Sequence, residues 1–235
     1  MKKIIISIFL LFIGFNLSAQ TYGIKAGSTL SNVWGPDLKS YTDWGEYSTI
    51  LNPGILIGGS ITFGGIIYEK YDFISHPIGE TTIELLYSEN GWGYIDAPGS
   101  ITTGQTKHQN IQLNGMTYFP VSENFSLGAG IYTSFMLGYD HILAGKTVNG
   151  VLLINDINEQ VKNRFDVGPN VSTKIRLNDN LALDIRYSLG LLRQFYQEPV
   201  PGVSVGRWYE LYNGSIQTSV SYYFGKIKYK DSWRE

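Results

Sequence analysis

The chain has 235 residues, of which 43% are hydrophobic and only 16% charged, with a formal net charge of −2, 27 glycines, 17 tyrosines and no cysteine. The length suits one domain, and the charge balance argues against a nucleic-acid partner. Without cysteine, neither a disulfide framework nor a cysteine-linked lipid anchor is expected.

Residues 1–19 read as a secretory signal peptide: Lys2 and Lys3, then an apolar run from Ile4 to Phe15, then Leu17-Ser18-Ala19 as a small-residue cleavage site. Its removal takes away two lysines and no acid, which moves the formal net charge from −2 to −4. No other stretch is apolar for the ~18 residues of a membrane helix. If the exported chain enters a membrane, it does so as a closed barrel, which leaves no backbone group unsatisfied in lipid.

Eight stretches alternate polar and apolar residues with a period of two, the signature of strands with unlike faces. They are Thr21 to Leu30, Gly54 to Phe63, Glu80 to Ser88, His108 to Phe119, Phe125 to Tyr139, Phe165 to Leu177, Leu181 to Leu191 and Gly214 to Phe224. Residues 31–53, 89–107, 140–164 and 193–213 read as long loops, with a small hairpin inside the third over Val148 to Ile154. Residues 120–124 and 178–180 read as short turns, and 64–79 is a longer connection that breaks the order. In a meander, alternate connections share one end of the barrel. Long loops at one end and short turns at the other are what outer-membrane barrels show.

One parity of these strands carries Ile, Leu, Val, Phe and Tyr, with aromatics toward the ends at Tyr22, Phe119, Phe125, Phe165, Tyr187, Tyr222 and Phe224. That arrangement suits a girdle at a lipid interface. The opposite parity carries Lys25, Glu84, Asp166, Lys174, Arg176, Asp184 and Arg186, mixed with Gly, Ser and Asn. Eight strands leave room for side chains but no open pore. These charges are therefore expected to pair across the lumen as a structural network, with a narrow solute path as the other reading. The alternative architecture is a soluble periplasmic barrel with the apolar parity turned inward around a ligand; its outer parity would need more charge than this chain has.

The short motifs Tyr22-Gly-Ile-Lys-Ala-Gly27, Ile83-Glu-Leu-Leu-Tyr-Ser-Glu-Asn-Gly91, Phe165-Asp-Val-Gly168, Arg186-Tyr-Ser-Leu-Gly190 and Tyr222-Tyr-Phe224 resemble, in order and spacing, the PorT-like outer-membrane β-barrel domain of Gram-negative bacteria of the Bacteroidota type. The resemblance spans nearly the whole chain after residue 19. It implies an outer-membrane barrel of about eight strands and no particular activity. The domain organisation expected is a signal peptide over 1–19, a barrel over 20–225 and a charged tail over 226–235, where barrels of this kind often finish on the aromatic.

Chemistry is sparse. His76, His108 and His141 have no metal-ligand spacing, so no metal and no cofactor are expected. A lipid-modifying barrel enzyme would need a histidine beside a serine near the outer rim, as His108 with Ser88 or Ser134, or His141 with Ser134; surface histidines bonded to water are the simpler reading. The aromatics Trp34, Trp44, Trp92, Tyr94, Tyr196, Trp208 and Tyr209 fall in long loops. They either form an exposed contact patch for a protein or glycan or pack over the barrel mouth. The reading is thus an all-β, transmembrane, up-and-down antiparallel barrel, monomeric and without catalysis, in contact with outer-membrane lipid.

Overall fold

In the computed structural model, the described residues are 20–36, 48–63, 79–95, 103–122, 124–144, 147–148, 151–152, 163–193, 196–197, 207–208, 210–224. The expected signal peptide and charged tail lie outside them. Eight strands form a closed antiparallel barrel. They are β1 (Gln20–Trp34), β2 (Ser48–Phe63), β3 (Glu80–Ile95), β4 (Thr103–Pro120), β5 (Phe125–Ala144), β6 (Phe165–Arg176), β7 (Leu181–Leu189) and β8 (Tyr212–Tyr223). Each pairs with its sequence neighbour, and β8 closes on β1, from Gly23 opposite Tyr223 to Trp34 opposite Tyr212. This is the up-and-down meander expected from the eight alternating stretches.

The barrel's stagger follows from its register. Paired residues traced once around the wall run Thr21, Thr62, Thr82, Met116, Gly130, Asn170, Ser188, Ser215 and back to Ser31, ten positions along β1 from the start. Eight strands with that stagger tilt by about 40° from the barrel axis, and the interior is just wide enough for side chains to fill.

The two parities take the sides that decide the barrel's type. Tyr22, Ile24, Ile55, Ile57, Leu85, Leu113, Ile131, Val171, Ile185 and Val220 point out and are exposed, with Ile131 65% accessible. Lys25, Thr29, Ser60, Glu84, Ser88, Asn114, Ser172, Asp184, Arg186, Gln217 and Ser221 point in and are buried. The apolar parity is therefore outside, which removes the inward-facing apolar carrier as an architecture for this chain.

The strand ends differ from the sequence reading, mostly at the long-loop end. β1 runs four residues further, to Trp34, β3 seven further, to Ile95, and β4 starts at Thr103. The Asn90-Gly91 pair reads locally as a turn but lies inside β3. Gly91 keeps the strand going at φ +155° and donates its amide to Ser31 Oγ at 2.7 Å. The Asn178–Asn180 turn is as expected: Asn178 Oδ1 accepts from the amides of Asn180 and Leu181, both at 2.9 Å, which reverses the chain in three residues. The expected small hairpin after β5 takes the form of Thr147–Val148 paired with Val151–Leu152. A second two-residue ladder pairs Tyr196–Gln197 with Arg207–Trp208.

Candidate functional site

The lumen holds the chain's densest polar chemistry, arranged in levels along the axis. At its centre, Glu84 of β3 accepts from Lys25 Nζ of β1 at 2.5 Å and from Arg186 Nη1 of β7 at 2.7 Å. Asp184, two residues before Arg186 and on the same inward face, lies 3.6 Å from Lys25 Nζ and 3.5 Å from Arg186 Nη2. Its Oδ2 also accepts from Tyr118 Oη at 2.6 Å and from Ser172 Oγ at 2.9 Å. Arg186 Nη2 in turn donates to Tyr118 Oη at 3.3 Å. Two cations thus meet two carboxylates in a space closed to water, and Tyr118 and Ser172 occupy lone pairs that would otherwise be stranded.

Toward the short-turn end, Lys174 of β6 is ion-paired with Glu80 of β3, and Arg176 approaches the same carboxylate at 3.9 Å. Lys174 Nζ sits 3.6 Å from the centroid of the Tyr118 ring and 5.9 Å from that of Tyr223. Tyr118 therefore joins the two clusters, its hydroxyl to the central group and its ring face to the lower one. Gly128 on the facing strand makes the space for it: a Cβ there would lie 2.7 Å from the ring.

Toward the long-loop end the lumen is lined mostly by uncharged side chains, with Asp166 as the carboxylate among them. Gln217 Nε2 donates to Gln112 Oε1 and Asn170 Nδ2 to Asn114 Oδ1, each at 3.2 Å, across the barrel. Above them Trp92 and His108 meet edge to face with centroids 5.0 Å apart, both buried. Asp166 accepts from Tyr132 Oη at 2.9 Å and from the amides of Val167 and Leu192 at 2.9 and 3.3 Å.

All seven charged residues singled out in the sequence thus lie on the inward parity, but in three places. Lys25, Glu84, Asp184 and Arg186 form one cluster, Lys174 and Arg176 a second through Glu80, and Asp166 stands apart near the long-loop end. Sequence reading missed Glu80, Tyr118 and Tyr132. Glu80 opens its strand and gives no local sign of a partner, since Lys174 is 94 residues away. Alternation places Tyr118 and Tyr132 on the polar parity, and a tyrosine recurring there is the signal for a buried hydroxyl.

The aromatics divide differently from the expectation. Trp92 belongs to β3, not to a loop, and its ring is buried inside the barrel, so it offers no outer contact surface. Trp34 ends β1, partly exposed, with its ring 5.0 Å from that of Tyr212 and its Nε1 donating to Asn213 O at 3.1 Å. Tyr94 extends β3, and Tyr196 pairs with Trp208 in the short ladder; their side chains lie outside the described residues, as do Trp44 and Tyr209 altogether. His76 and the His141 side chain lie outside as well. His108 is inside the lumen rather than on the surface, and Ser88 and Ser134 also point inward.

The site and the fold together define a class: a closed eight-stranded antiparallel barrel with an apolar outer wall and a filled, charge-paired lumen. Thirty-seven chains of solved structure are similar to this chain in fold. They include Outer Membrane Protein W of E. coli (15% identity, 89% of this chain and 100% of that one, TM-score 0.46). Neisserial surface protein A (10%, 86% and 96%, 0.43) and the outer membrane protein OprG from Pseudomonas aeruginosa (10%, 88% and 96%, 0.41) are others. No protein-family model and no curated protein sequence matches the chain.

Proposed function

We propose that this chain is an exported outer-membrane β-barrel of a Gram-negative cell, monomeric and non-enzymatic. It serves a structural or binding role through its long loops, which face the outside of the cell, and the lumen charges act as a stabilising plug. The observation that carries the reading is the inverted wall. A soluble barrel that exposed Ile24, Ile57, Leu85, Leu113, Ile131 and Val220 around its waist while burying Lys25, Glu84, Asp184 and Arg186 would aggregate; in lipid the same wall is stable. Residues 1–19 direct export, the short turns lie in the periplasm, and Tyr22, Phe119, Tyr222 and Phe224 sit at the inner interface. Trp34, Trp44, Tyr94, Tyr196, Trp208 and Tyr209 are the candidate contact residues. The relation to the PorT-like domain rests on the short motifs alone. The absence of catalysis is argued from His108, Ser88 and Ser134: all three face the lumen, on the wrong side of the wall for an acyl chain in the bilayer.

The test is heat modifiability with fractionation. The protein should sediment with the outer membrane and migrate differently on a denaturing gel before and after boiling. Recovery in the soluble periplasmic fraction, with no shift, would sink the reading.

A further inference from the structure

The wall is least complete between β6 and β7. Their ladder runs from Arg176 opposite Ala182 only to Asn170 opposite Ser188, the shortest of the eight seams. Leu177 N donates to Leu181 O at 2.9 Å and Leu191 N to Val167 O at 2.9 Å, so the odd residues of β6 turn their backbone groups toward β7. Pro169 is one of them. It has no amide to offer Leu189, and the ladder stops there. Above that point each strand keeps its other neighbour. β6 stays on β5 up to Phe165 opposite Phe135, and β7 stays on β8 up to Leu189 opposite Gly214. The chain leaves β7 through residues 190–193 and returns to β8 through residues 210–213. These two stems are tied to each other: Gly190 N donates to Asn213 O at 2.7 Å, and Arg193 is ion-paired with Glu210. Further along the same connection, Tyr196–Gln197 pairs with Arg207–Trp208.

Where the ladder would hold the outgoing stem to β6, a side chain does so instead. Asp166 Oδ1 accepts from the amides of Val167 at 2.9 Å and Leu192 at 3.3 Å. Asp166 Oδ2 accepts from Tyr132 Oη at 2.9 Å, and the Asn213 side chain bonds to the same carboxylate. Leu192 belongs to the outgoing stem and Asn213 to the returning one. Gly190 makes the room: a Cβ there would lie 2.4 Å from Asp166 Oδ2. Glu84 and Asp184 meet cations in the charge-paired plug, whereas these four bonds to Asp166 come from neutral donors. We propose that Asp166 is a positioning residue for the connection between β7 and β8. From inside the lumen it clamps the two stems to each other and to β6, and the backbone ladder takes over below Pro169. A carboxylate suits this place because it accepts from several donors at once, and hydrogen bonds to a charged group are the stronger kind. The bearing of the clamp on binding rests on the proposed function, since this connection carries Tyr196, Trp208 and Tyr209. The clamp itself rests on the contacts of residues 163–193 and 210–213.

The test uses the full-length chain refolded in lipid nanodiscs, with the gel shift on boiling as a check that the barrel has closed. Amide hydrogen exchange is read residue by residue. Asp166→Ala should speed exchange at Leu191 and Leu192 by roughly tenfold or more, the scale of a lost hydrogen bond to a charged group. Exchange at Val171 and Thr173, on the ladder below Pro169, should stay as it is in the unaltered chain. If Asp166→Ala fails to close, Gly190→Ala displaces the same carboxylate with one methyl group and should give the same local pattern. Unchanged exchange at Leu192 in a closed variant would overturn the proposal. So would a uniform rise along β6 and β7, which would make Asp166 one more part of the barrel's general packing. Recovery of the unaltered protein in the soluble periplasmic fraction would count against the proposed function and not against the clamp.

Discussion

Replacing Glu84 by alanine is expected to destabilise the barrel by about 3–5 kcal/mol, the cost of leaving a buried charge without its partner. Glu84 takes both Lys25 at 2.5 Å and Arg186 at 2.7 Å, and all three side chains are closed to solvent. Its removal leaves two cations sharing only Asp184, which is 3.6 and 3.5 Å away and already accepts from Tyr118 and Ser172. Urea titration of protein folded into lipid vesicles would show a fall in the unfolding midpoint. The double change Glu84→Gln with Lys25→Met removes one charge of each sign and leaves Arg186 with Asp184. It should recover more than half of the lost stability, because the penalty comes from imbalance and not from loss of attraction. If E84A unfolds at the wild-type midpoint, water reaches the cluster and the plug is not dry.

The second large effect lies on the other face. Ile131→Arg places a charge at the middle of the outer wall, on one of the most exposed apolar side chains of the barrel. At the bilayer midplane this costs about 2–4 kcal/mol, falling to about 0–1 near the interfaces. Thr81→Arg, at the short-turn end of β3, should therefore be nearly silent in the same vesicle assay. The contrast carries the argument, since in water an arginine on an exposed position is close to neutral. Equal, small effects at the two positions would mean that the wall does not meet lipid.

The parity of the strands was legible because each has one apolar and one polar face, and a period of two admits no compromise between them. Their inner assignment was legible too: Lys25, Glu84, Asp184 and Arg186 sit among Gly and Ser, and an apolar surrounding would have left them unpaired. The outer strand ends were not legible, for a physical reason. On the proposed membrane reading, a strand that continues past the bilayer no longer needs an apolar outer face, so the alternation fades while the hydrogen-bonded ladder continues. Residues 89–95 and 103–107 read as loop on that account, although they pair from Glu89 opposite Gln109 to Ile95 opposite Thr103. Trp92 was misplaced by the same error, and its partner His108 was taken for a surface residue. Glu80 and Tyr118 were missed because their partners lie across the barrel. Lys174 is 94 residues from Glu80, and Asp184 is 66 from Tyr118. Such pairings follow from the register and stagger of the closed wall, which alternation alone does not determine.

The central claim is that the apolar face meets lipid and the polar face does not. Magnetisation transfer from lipid acyl chains to methyl groups of the folded protein in nanodiscs tests it on the unaltered chain. Cross-peaks are expected at the methyls of Ile24, Ile57, Leu113, Ile131 and Ile185, which point outward, and none at those of Leu56, Leu86, Met116 and Met136, which are buried. Cross-peaks at the second set with none at the first would contradict the account and turn the barrel inside out.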